Sequence, residues 1–374
     1  MARHAEIAGG GIAGLAVGTA LARRGWSVRI HERAPELRSF GAGIYIWENG
    51  LKVLEALGAY DAATSGAIRG FRRDSRDQRN RLFRRTELSS FRLFTVLRQS
   101  LLDALGAAAR EAGCEILLAS AADAADPEGR LRVNGAWTAP ADLVIAADGV
   151  NSAARDGLDL VKRRRLIDQF AIRTLIRREA GETADDFKRS HCEYWSGARR
   201  LLYAPCTAEW AYVQLTSLVG DPRGNRIPID RAYWRDAFPH CRWIIERLPE
   251  EGRGDQFQML KLTCWSRGRV AVLGDAAHAQ TPNLGQGGGC SLMTALSLAV
   301  TLEAEPDVPA ALARWEAAQR PIVELTQDVA YWYGQLAFLP QVLRQRLFRL
   351  LDGSDWLKRR TILATALHVP IGTA

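Results

Sequence analysis

The sequence predicts an α/β fold with a mostly parallel sheet, and three separated glycine-containing turns carry this prediction. The turns lie at residues 9–14, 148–152 and 274–278, and each follows a short apolar run. An apolar run that ends in glycine is typical of a buried strand at the point where the chain leaves a sheet. Because the carboxyl ends of parallel strands share one edge, we expect the three turns to form one site there.

The first turn has glycines at positions 9, 11 and 14, between a strand-like run and a helix-like run. Residues 12–24 have helical spacing, and residues 26–32 alternate like a second strand. In this context the first glycine makes a tight turn, the second lets the backbone approach a pyrophosphate, and the third lets helix and strand pack closely. A carboxylate ends the second strand, where it can accept hydrogen bonds from a ribose. The predicted dinucleotide contacts are Gly9, Gly11, Ile12, Ala13, Gly14, Glu32 and Arg33.

The second and third turns favour FAD over NAD as the bound dinucleotide. Asp148 and Gly149 follow the apolar run 141–147, either as cofactor contacts or as a simple strand-to-helix turn with Asp148 or Ser152 as a cap. In the third turn, Asp275 is placed to bond a ribityl or ribose hydroxyl. A glycine-rich loop then precedes a helix predicted from about residue 290 to residue 302, whose N-terminal dipole can face a reduced isoalloxazine. The predicted flavin contacts are Asp148, Gly149, Asp275, Gly285, Gln286 and Gly287.

Composition narrows the function classes. The chain of 374 residues, 47% hydrophobic and 25% charged, is long enough for two or three domains. Its net charge of +8 is scattered, which favours anionic ligands, and no motif for reading nucleic acid accompanies it. The six cysteines lack metal-ligand spacing and predict reduced thiols in a cytoplasmic protein. No signal peptide and no membrane span are expected.

Two further features each have a structural and a functional interpretation. Residues 69–85 contain eight arginines, which predict either a solvated hairpin at the edge of a substrate domain or a docking face for an acidic carrier protein or coenzyme A. His278 follows the third turn, either as a structural histidine beside the loop or as a base. We favour the structural interpretation for both.

These residues resemble the class A flavoprotein monooxygenases, the aromatic hydroxylases of the para-hydroxybenzoate hydroxylase type. The resemblance covers nearly the whole chain and rests on the three turns and on Arg98, at the start of a predicted helix. It implies FAD as cofactor, NAD(P)H as transient reductant and O2 as cosubstrate. In that family the reduced flavin and O2 give a C4a-hydroperoxide, which transfers one oxygen to an electron-rich ring. It also implies cofactor contacts at Gly43, Ile44 and Arg98, the last of which can alternatively be a surface arginine.

A narrower resemblance is to the hydroxypyridine-carboxylate oxygenases of that family, which hydroxylate and then open a pyridine ring. It is visible in five stretches, residues 5–11, 37–47, 51–59, 200–206 and 221–224. It implies that Arg200 and Tyr212 contact the substrate and that Arg173 lies near the flavin. A substrate-side tyrosine expected near Phe71 or Arg73 is missing, so the substrate is expected to differ.

The residues themselves support part of this assignment. Segments around Arg200 and Tyr212 read as paired strands, and alternation can point both side chains to one ligand face. Arginine suits a carboxylate, and tyrosine suits a ring hydroxyl or nitrogen. The alternative is an exposed Arg200 and a core Tyr212. Pro282 and the backbone of residues 285–287 are expected at the face where oxygen reacts.

The predicted architecture is a GxGxxG-type, Rossmann-like FAD-binding domain with an inserted β-sheet substrate domain and a helical C-terminal part. The expected segments are residues 1–68, 95–160 and 265–320 for the FAD domain, residues 69–94 and 161–264 for the substrate domain, and residues 321–374 for the C-terminal helices. The expected reaction is hydroxylation of an aromatic or heteroaromatic substrate with a hydroxyl and a carboxylate. Oxygenation with ring opening, a flavin oxidase or dehydrogenase, and a non-catalytic flavin protein remain alternatives. The protein is expected to be a monomer or homodimer.

Overall fold

The computed structural model describes residues 2–39, 42–179, 181–182 and 190–373 of the chain. Its strands are, in chain order, β1 (His4–Ala8), β2 (Ser27–His31), β3 (Gly43–Trp47), β4 (Ile68–Arg69), β5 (Arg72–Asp77), β6 (Leu82–Glu87), β7 (Leu93–Leu97), β8 (Glu115–Leu117), β9 (Ala122–Asp126), β10 (Arg130–Val133), β11 (Ala136–Trp137), β12 (Leu143–Ala146), β13 (Val161–Arg177), β14 (His191–Ser196), β15 (Arg199–Pro205), β16 (Trp210–Ser217), β17 (Arg253–Leu262), β18 (Ser266–Arg267) and β19 (Val270–Val272).

The helices join and cover these strands. They are α1 (Ile12–Ala22), α2 (Glu48–Ala56), α3 (Tyr60–Thr64), α4 (Arg98–Glu111), α5 (Ala153–Asp156), α6 (Arg231–Ala237), α7 (Arg242–Ile245), α8 (Asp275–His278), α9 (Gly287–Ala304), α10 (Val308–Gln335), α11 (Gln341–Asp352) and α12 (Asp355–Arg360). Short 3-10 turns lie at Pro239–Cys241, Pro282–Leu284 and Leu336–Phe338.

A six-stranded sheet carries the glycine turns. Its strand order is β18-β19-β12-β1-β2-β8, and all neighbours pair in parallel except the edge strand β18. Strands β12 and β19 are buried at every residue, as is typical of a parallel sheet covered on both faces. The predicted α/β fold with a Rossmann-like first unit is therefore confirmed.

The three turns meet at the carboxyl edge of this sheet, as predicted. A Cβ atom on Gly9 would lie 2.6 Å from the carbonyl oxygen of Ala147, just before the second turn. A Cβ atom on Gly274 would lie 2.7 Å from the Cβ atom of Ala13 in α1. Both glycines have positive φ angles, 101° and 62°, so their packing and their backbone conformation exclude larger residues.

A second, seven-stranded sheet stands against the first unit. Its order is β17-β13-β16-β15-β14-β5-β6, and its neighbours are antiparallel except β14 and β5. One face packs on α6 and α7 through a core that includes Trp234 and Phe238. The opposite face carries polar side chains and lies towards the third turn and α10. The two sheets thus enclose the space between them.

The arginine-rich segment forms the hairpin β5–β6 at the edge of this sheet, and many of its arginines have carboxylate partners. Arg76 and Arg85 pair with the buried Asp74, and Arg81 pairs with the buried Asp77. A further ion pair joins the hairpin to α11, between Arg84 and Asp352. These pairs explain the arginines by folding, which weakens the hypothesis of a docking face for an anionic carrier.

One helix starts earlier than expected, and one expected domain boundary lies within a helix. Helix α9 begins at Gly287, earlier than the predicted residue 290, and the expected domain boundary at residue 321 falls inside the continuous helix α10. No helix in the described part of the chain combines the length and apolar character that a membrane crossing needs.

Candidate functional site

The first turn has the form that a pyrophosphate site requires. A Cβ atom on Gly14 would lie 1.9 Å from the carbonyl oxygen of Gly9, so only glycine lets α1 pack on the turn. Gly11, the residue preceding α1, has no atom within 4 Å of its Cβ position and no side-chain cap on its helix. Uncapped amides therefore face open space at the positive end of the helix, where an anion is stabilised. These residues fit an FAD pyrophosphate.

Glu32 lies beside this turn, as expected for a ribose contact. Its carboxylate accepts hydrogen bonds from the backbone amides of Gly10, at 2.8 Å, and Ala34, at 2.9 Å. Ile12 and Ala13 open α1, whereas the side chain of Arg33 is exposed beyond the strand. The structure thus gathers the first set of predicted residues at one strand end.

Asp148 acts as a helix cap in this structure. One carboxylate oxygen accepts from the amides of Ala153 and Ala154, and Ser152 caps the same short helix through the amide of Arg155. The other oxygen has no partner within the described residues, and burial raises the pKa of Asp148. The capping interpretation is therefore confirmed, while the free oxygen leaves a cofactor contact available.

Asp275 opens the third turn and faces two arginines. The side chain of Asp275 is exposed to solvent within the site. Surrounding protein partly desolvates its carboxylate and raises its pKa, whereas the charges of Arg98 and Arg173 lower that pKa. Burial lowers the pKa of Arg98, and Asp275 opposes that effect. The carboxylate and both cations thus line the place where the three turns meet.

The Pro282 loop, residues 281–287, forms the wall opposite the seven-stranded sheet. Gly285 is in the left-handed conformation, with φ of 64°, and a Cβ atom there would lie 2.6 Å from the Tyr45 ring. Gln286 is buried before α9, and its Oε1 accepts from Asn49 at 3.2 Å. The first glycine of α9, Gly287, follows at once, so the helix dipole points into the loop.

Arg200 and Tyr212 lie on one face of the seven-stranded sheet. In the register of β15 and β16, Arg200 is opposite Thr216, and Ala204 is opposite Tyr212, so alternation gives them the same face. Tyr212 is buried and donates to Gln214 Oε1 at 2.9 Å, and burial raises its pKa to about 12.

Arg200 is buried, with a side chain only 3% exposed, and protein groups occupy its guanidinium. It donates to Asn283 Oδ1 in the Pro282 loop at 2.7 Å and to Glu193 Oε1 at 3.3 Å. The guanidinium also lies over the ring of Trp195. The second oxygen of Glu193 accepts from the hydroxyl of Tyr333 in α10 at 3.0 Å. Arg200 therefore ties the sheet to the loop.

Arg173 lies near this face with a different partner. Its Nη1 donates to Asp255 Oδ2 at 2.8 Å, and its charge lowers the pKa of both Tyr212 and Asp275. Gly43 of β3 packs directly on Tyr212, because a Cβ atom there would lie 2.6 Å from the tyrosine Cβ. A second contact of β3, made by Ile44, is with Gly288 of α9.

A narrow cleft that the sequence did not predict lies beside these residues, with a cavity volume of about 20 Å³. Its walls come from β3, the face of the seven-stranded sheet, α10 and the C-terminal segment. They include Trp47, Arg73, His191, Glu193, Leu202, Tyr333, Lys358, Ile362 and Leu363. Alternation along β14 places Glu193 on the ligand face, but only the pairing of β14 with β15 brings it to Arg200.

His278 is a structural histidine, as favoured by the sequence. It is buried against the ring of Trp265, and its Nε2 lies 3.5 Å from the hydroxyl of Thr294. Burial lowers its pKa to about 4, so it stays neutral near pH 7. Burial likewise lowers the pKa of His191 to about 3.

The two neutral histidines make stability sensitive to acid. Between the unfolded pKa of 6.5 and the folded values, the unfolded chain binds protons that the folded chain does not. Stability therefore falls as the pH falls through that window, by up to ~1.4 kcal/mol per pH unit for each histidine. We expect His278→Gln to lose less stability between pH 7 and pH 5 than the parent in urea unfolding, while His240→Gln, at an exposed site, keeps the parent slope. Equal slopes in all three proteins would contradict this.

Comparisons with known proteins agree with this geometry. The FAD binding domain family matches residues 4–328. The chain is 40% identical over 375 residues to a Rhodococcus erythropolis protein provisionally named 2-heptyl-3-hydroxy-4(1H)-quinolone synthase AqdB1, covering 100% of this chain and 98% of that protein. It is also 40% identical over 356 residues to the 2-heptyl-3-hydroxy-4(1H)-quinolone synthase of Mycobacteroides abscessus, covering 94% and 95%.

A solved structure extends the likeness to the whole fold. The crystal structure of 2-methyl-3-hydroxypyridine-5-carboxylic acid oxygenase matches with a TM-score of 0.89 and 35% identity, over 100% of this chain and 99% of that one. That protein has also been solved in a tetrameric form. Together with the three glycine turns, these matches show that the chain belongs to the FAD binding domain family and is an FAD-dependent aromatic monooxygenase of class A, which uses NAD(P)H and O2.

Proposed function

We propose that this enzyme hydroxylates a quinolone-type ring, a bicyclic nitrogen heterocycle with an exocyclic oxygen and an apolar substituent. The observation that carries the proposal is the pairing of Arg200. The arginine expected to bind a substrate carboxylate already donates to Glu193 and Asn283 in a buried setting. A ring without a carboxylate leaves these bonds intact, whereas a carboxylate would compete for them. The 40% identity to two quinolone synthases over nearly the full chain supports the same substrate class.

The cofactor supplies the redox chemistry and the activation of O2, and the chain's residues hold it. In the proposal the turn at Gly9, Gly11 and Gly14 binds the pyrophosphate, and Glu32 binds a ribose. Arg98 and Asp275 contact the flavin side. The dipole of α9 stabilises negative charge on the isoalloxazine edge.

The substrate ring is proposed to lie between the Pro282 loop and the sheet face with Tyr212. Because its pKa is about 12, Tyr212 stays protonated and acts as a hydrogen-bond donor, not as a base. Its hydroxyl, which donates to Gln214, can turn to an oxygen of the ring. Arg173 adds positive charge beside it, and Pro282 closes the opposite side. These residues orient the ring and exclude water, which favours oxygen transfer over its loss to solvent.

A second candidate is oxygenation with ring opening of a hydroxypyridine carboxylate. The observation that favours it is the likeness to 2-methyl-3-hydroxypyridine-5-carboxylic acid oxygenase, at 35% identity over the whole chain. Under this candidate the carboxylate needs a cation other than Arg200, unless Glu193 and Asn283 release that side chain.

The test is NAD(P)H oxidation by FAD-loaded protein with a panel of 2-alkyl-4-quinolones, hydroxybenzoic acids and hydroxypyridine carboxylic acids, with product masses recorded. We expect an alkylquinolone to stimulate oxidation and to gain one oxygen atom. A hydroxypyridine carboxylate that gains two oxygens and two hydrogens would establish the second candidate instead. Stimulated oxidation that yields only hydrogen peroxide with every compound would contradict both.

A further inference from the structure

We propose that Arg73 is the residue that binds a negatively charged oxygen of the substrate. This inference rests on the proposed function, because it assigns the polar contact of the same aromatic ligand. The oxygen is either the exocyclic oxygen of a quinolone-type substrate or a carboxylate oxygen of an aromatic acid. Both are negatively charged acceptors of hydrogen bonds from a guanidinium.

Arg73 differs from its neighbours in the hairpin. Arg76 and Arg85 pair with Asp74, and Arg84 pairs with Asp352. For the Arg73 guanidinium, by contrast, the interactions found within the described ranges of the chain are with aromatic rings, and no ion pair with a carboxylate is among them. Its Cζ lies 5.7 Å from the ring centre of Tyr45 and 5.6 Å from that of Trp47. Two aromatic faces hold the cation in place while its hydrogen-bond donors stay available.

The two aromatic residues connect Arg73 directly to the Pro282 loop. The Tyr45 ring fills the space beside Gly285, and Trp47 Nε1 donates to the carbonyl oxygen of Leu284 at 3.2 Å. Arg73 is therefore one side chain away from the loop expected at the oxygen-reacting face. It is also on the ligand face of the sheet, because its register partner is His191 of β14.

The register also gives the distance across the ligand face. From β16, which carries Tyr212, to β5, which carries Arg73, there are three strand spacings, or about 14 Å between backbones. Both residues lie on the same face, and Tyr45 lies beside each of them: it shares an apolar cluster with Tyr212, and its ring centre is 5.7 Å from Arg73 Cζ. Leu202, opposite Gln214 in the register, forms the apolar floor between them.

Two other polar atoms beside Arg73 have no partner among the residues that the structure describes. They are the hydroxyl of Tyr45 and Nδ1 of His191, and both are buried. The His191 ring stacks on Tyr45 with 5.0 Å between ring centres, and its other nitrogen lies 3.0 Å from the hydroxyl of Thr95. Buried polar atoms are normally hydrogen-bonded, so unsatisfied groups beside a cation with no carboxylate partner among the described residues indicate a ligand position.

A cation at this point also suits the chemistry. A ring carbon next to an ionised oxygen is more electron-rich than one next to a hydroxyl, and it attacks an electrophilic oxygen more readily. A guanidinium beside the oxygen lowers the pKa of the bound ring hydroxyl, whose proton goes to solvent. Arg73 would thus contribute to reactivity as well as to binding.

The experiment measures ligand binding by the change in the visible spectrum of the FAD-loaded protein. Two pairs of ligands are compared. The first is a 2-alkyl-4-quinolone and the quinoline that lacks its exocyclic oxygen. The second is a hydroxypyridine carboxylate and its decarboxylated form. We expect the parent to prefer the oxygen-bearing member of one pair by about 10- to 100-fold. Arg73→Met should abolish this preference, and Arg73→Lys should retain part of it. The pair that shows the effect identifies the oxygen.

Arg79→Met is the matched control, because Arg79 lies in the same hairpin, is exposed and carries the same charge. It should keep the parent preference. For a quinolone, the pKa of the bound ligand should also rise in Arg73→Met, which a purely structural role would not produce. If Arg73→Met fails to retain FAD, the ligand preference of Arg73→Lys and the pKa of the ligand bound to that variant still test the assignment of Arg73.

An unchanged preference in Arg73→Met, or no preference in the parent for either pair, would overturn the assignment of Arg73. Binding is read without turnover, so these outcomes are independent of the product masses that test the proposed function. A quinolone that binds through Arg73 but gains no oxygen would contradict the proposed function alone.

Discussion

Replacement of Gly14 by alanine is expected to weaken FAD binding strongly. The new Cβ atom would lie 1.9 Å from the carbonyl oxygen of Gly9, a backbone atom in a tight turn that cannot move aside. Helix α1 must then shift away from the turn, which moves its amides away from the pyrophosphate position. Overpacking of this kind costs about 1–3 kcal/mol, so we expect FAD affinity to fall by ~10- to 100-fold. FAD per chain after gel filtration measures it.

The matched control is Gly157→Ala, at a helix C-terminus with a φ angle of −67° and no atom near its Cβ position. It should bind FAD like the parent. Purification of Gly14→Ala with a full complement of FAD would show that the turn tolerates a side chain, and the account of the first turn would be wrong.

Replacement of Arg200 by methionine is expected to have the second large effect. Among the described residues, Glu193, with a side chain only 13% exposed, would keep one hydrogen-bond partner, the Tyr333 hydroxyl, and the Asn283 side chain would lose Arg200. Breaking a buried ion pair from one side costs about 3–5 kcal/mol. We expect the free energy of unfolding to fall by about that amount in urea. The fraction of NAD(P)H oxidation that yields oxygenated product should fall as well, because the Pro282 loop loses its link to the sheet.

A double variant and a neighbouring arginine make this result specific. In Arg200→Met with Glu193→Gln, part of the stability should return, because no uncompensated carboxylate remains. Arg199→Met changes a residue whose guanidinium lies over the ring of Tyr233, and it should leave product yield unchanged. If Arg200→Met unfolds like the parent, the pair with Glu193 contributes nothing to stability.

The glycine turns were predictable because their requirement is local. Gly9, Gly11 and Gly14 are adjacent in sequence, and strand and helix patterns surround them. The start of α9 was not predictable, because glycine is a poor helix former. Glycine is needed in the first turn of α9 because Ile44 of β3 and Asn49 of α2 occupy the space that side chains at Gly288 and Gly289 would fill. Both residues are more than 200 positions away in the sequence, so no local pattern predicts this packing.

In the candidate site, too, local patterns predicted some features, and others depend on residues that are distant in the sequence. Strand alternation was enough to predict one face for Arg200 and Tyr212. It was not enough to predict that Asn283 and Glu193 occupy the Arg200 guanidinium, because these residues come from a distant loop and from a neighbouring strand. The same limit hid Arg73, whose significance depends on its having no carboxylate partner within the described ranges, whereas several of its neighbours in the hairpin have one.

The order of strands in the six-stranded sheet has a consequence for protein synthesis. The site is assembled from β1 and β2 at the start of the chain, β12 near the middle and β19 close to residue 272. At about 5–20 residues per second, a ribosome takes roughly 13–50 s to pass from Gly14 to Asp275. The nascent chain must therefore remain soluble through most of its translation without its cofactor, and the cofactor can complete the folding only near the end.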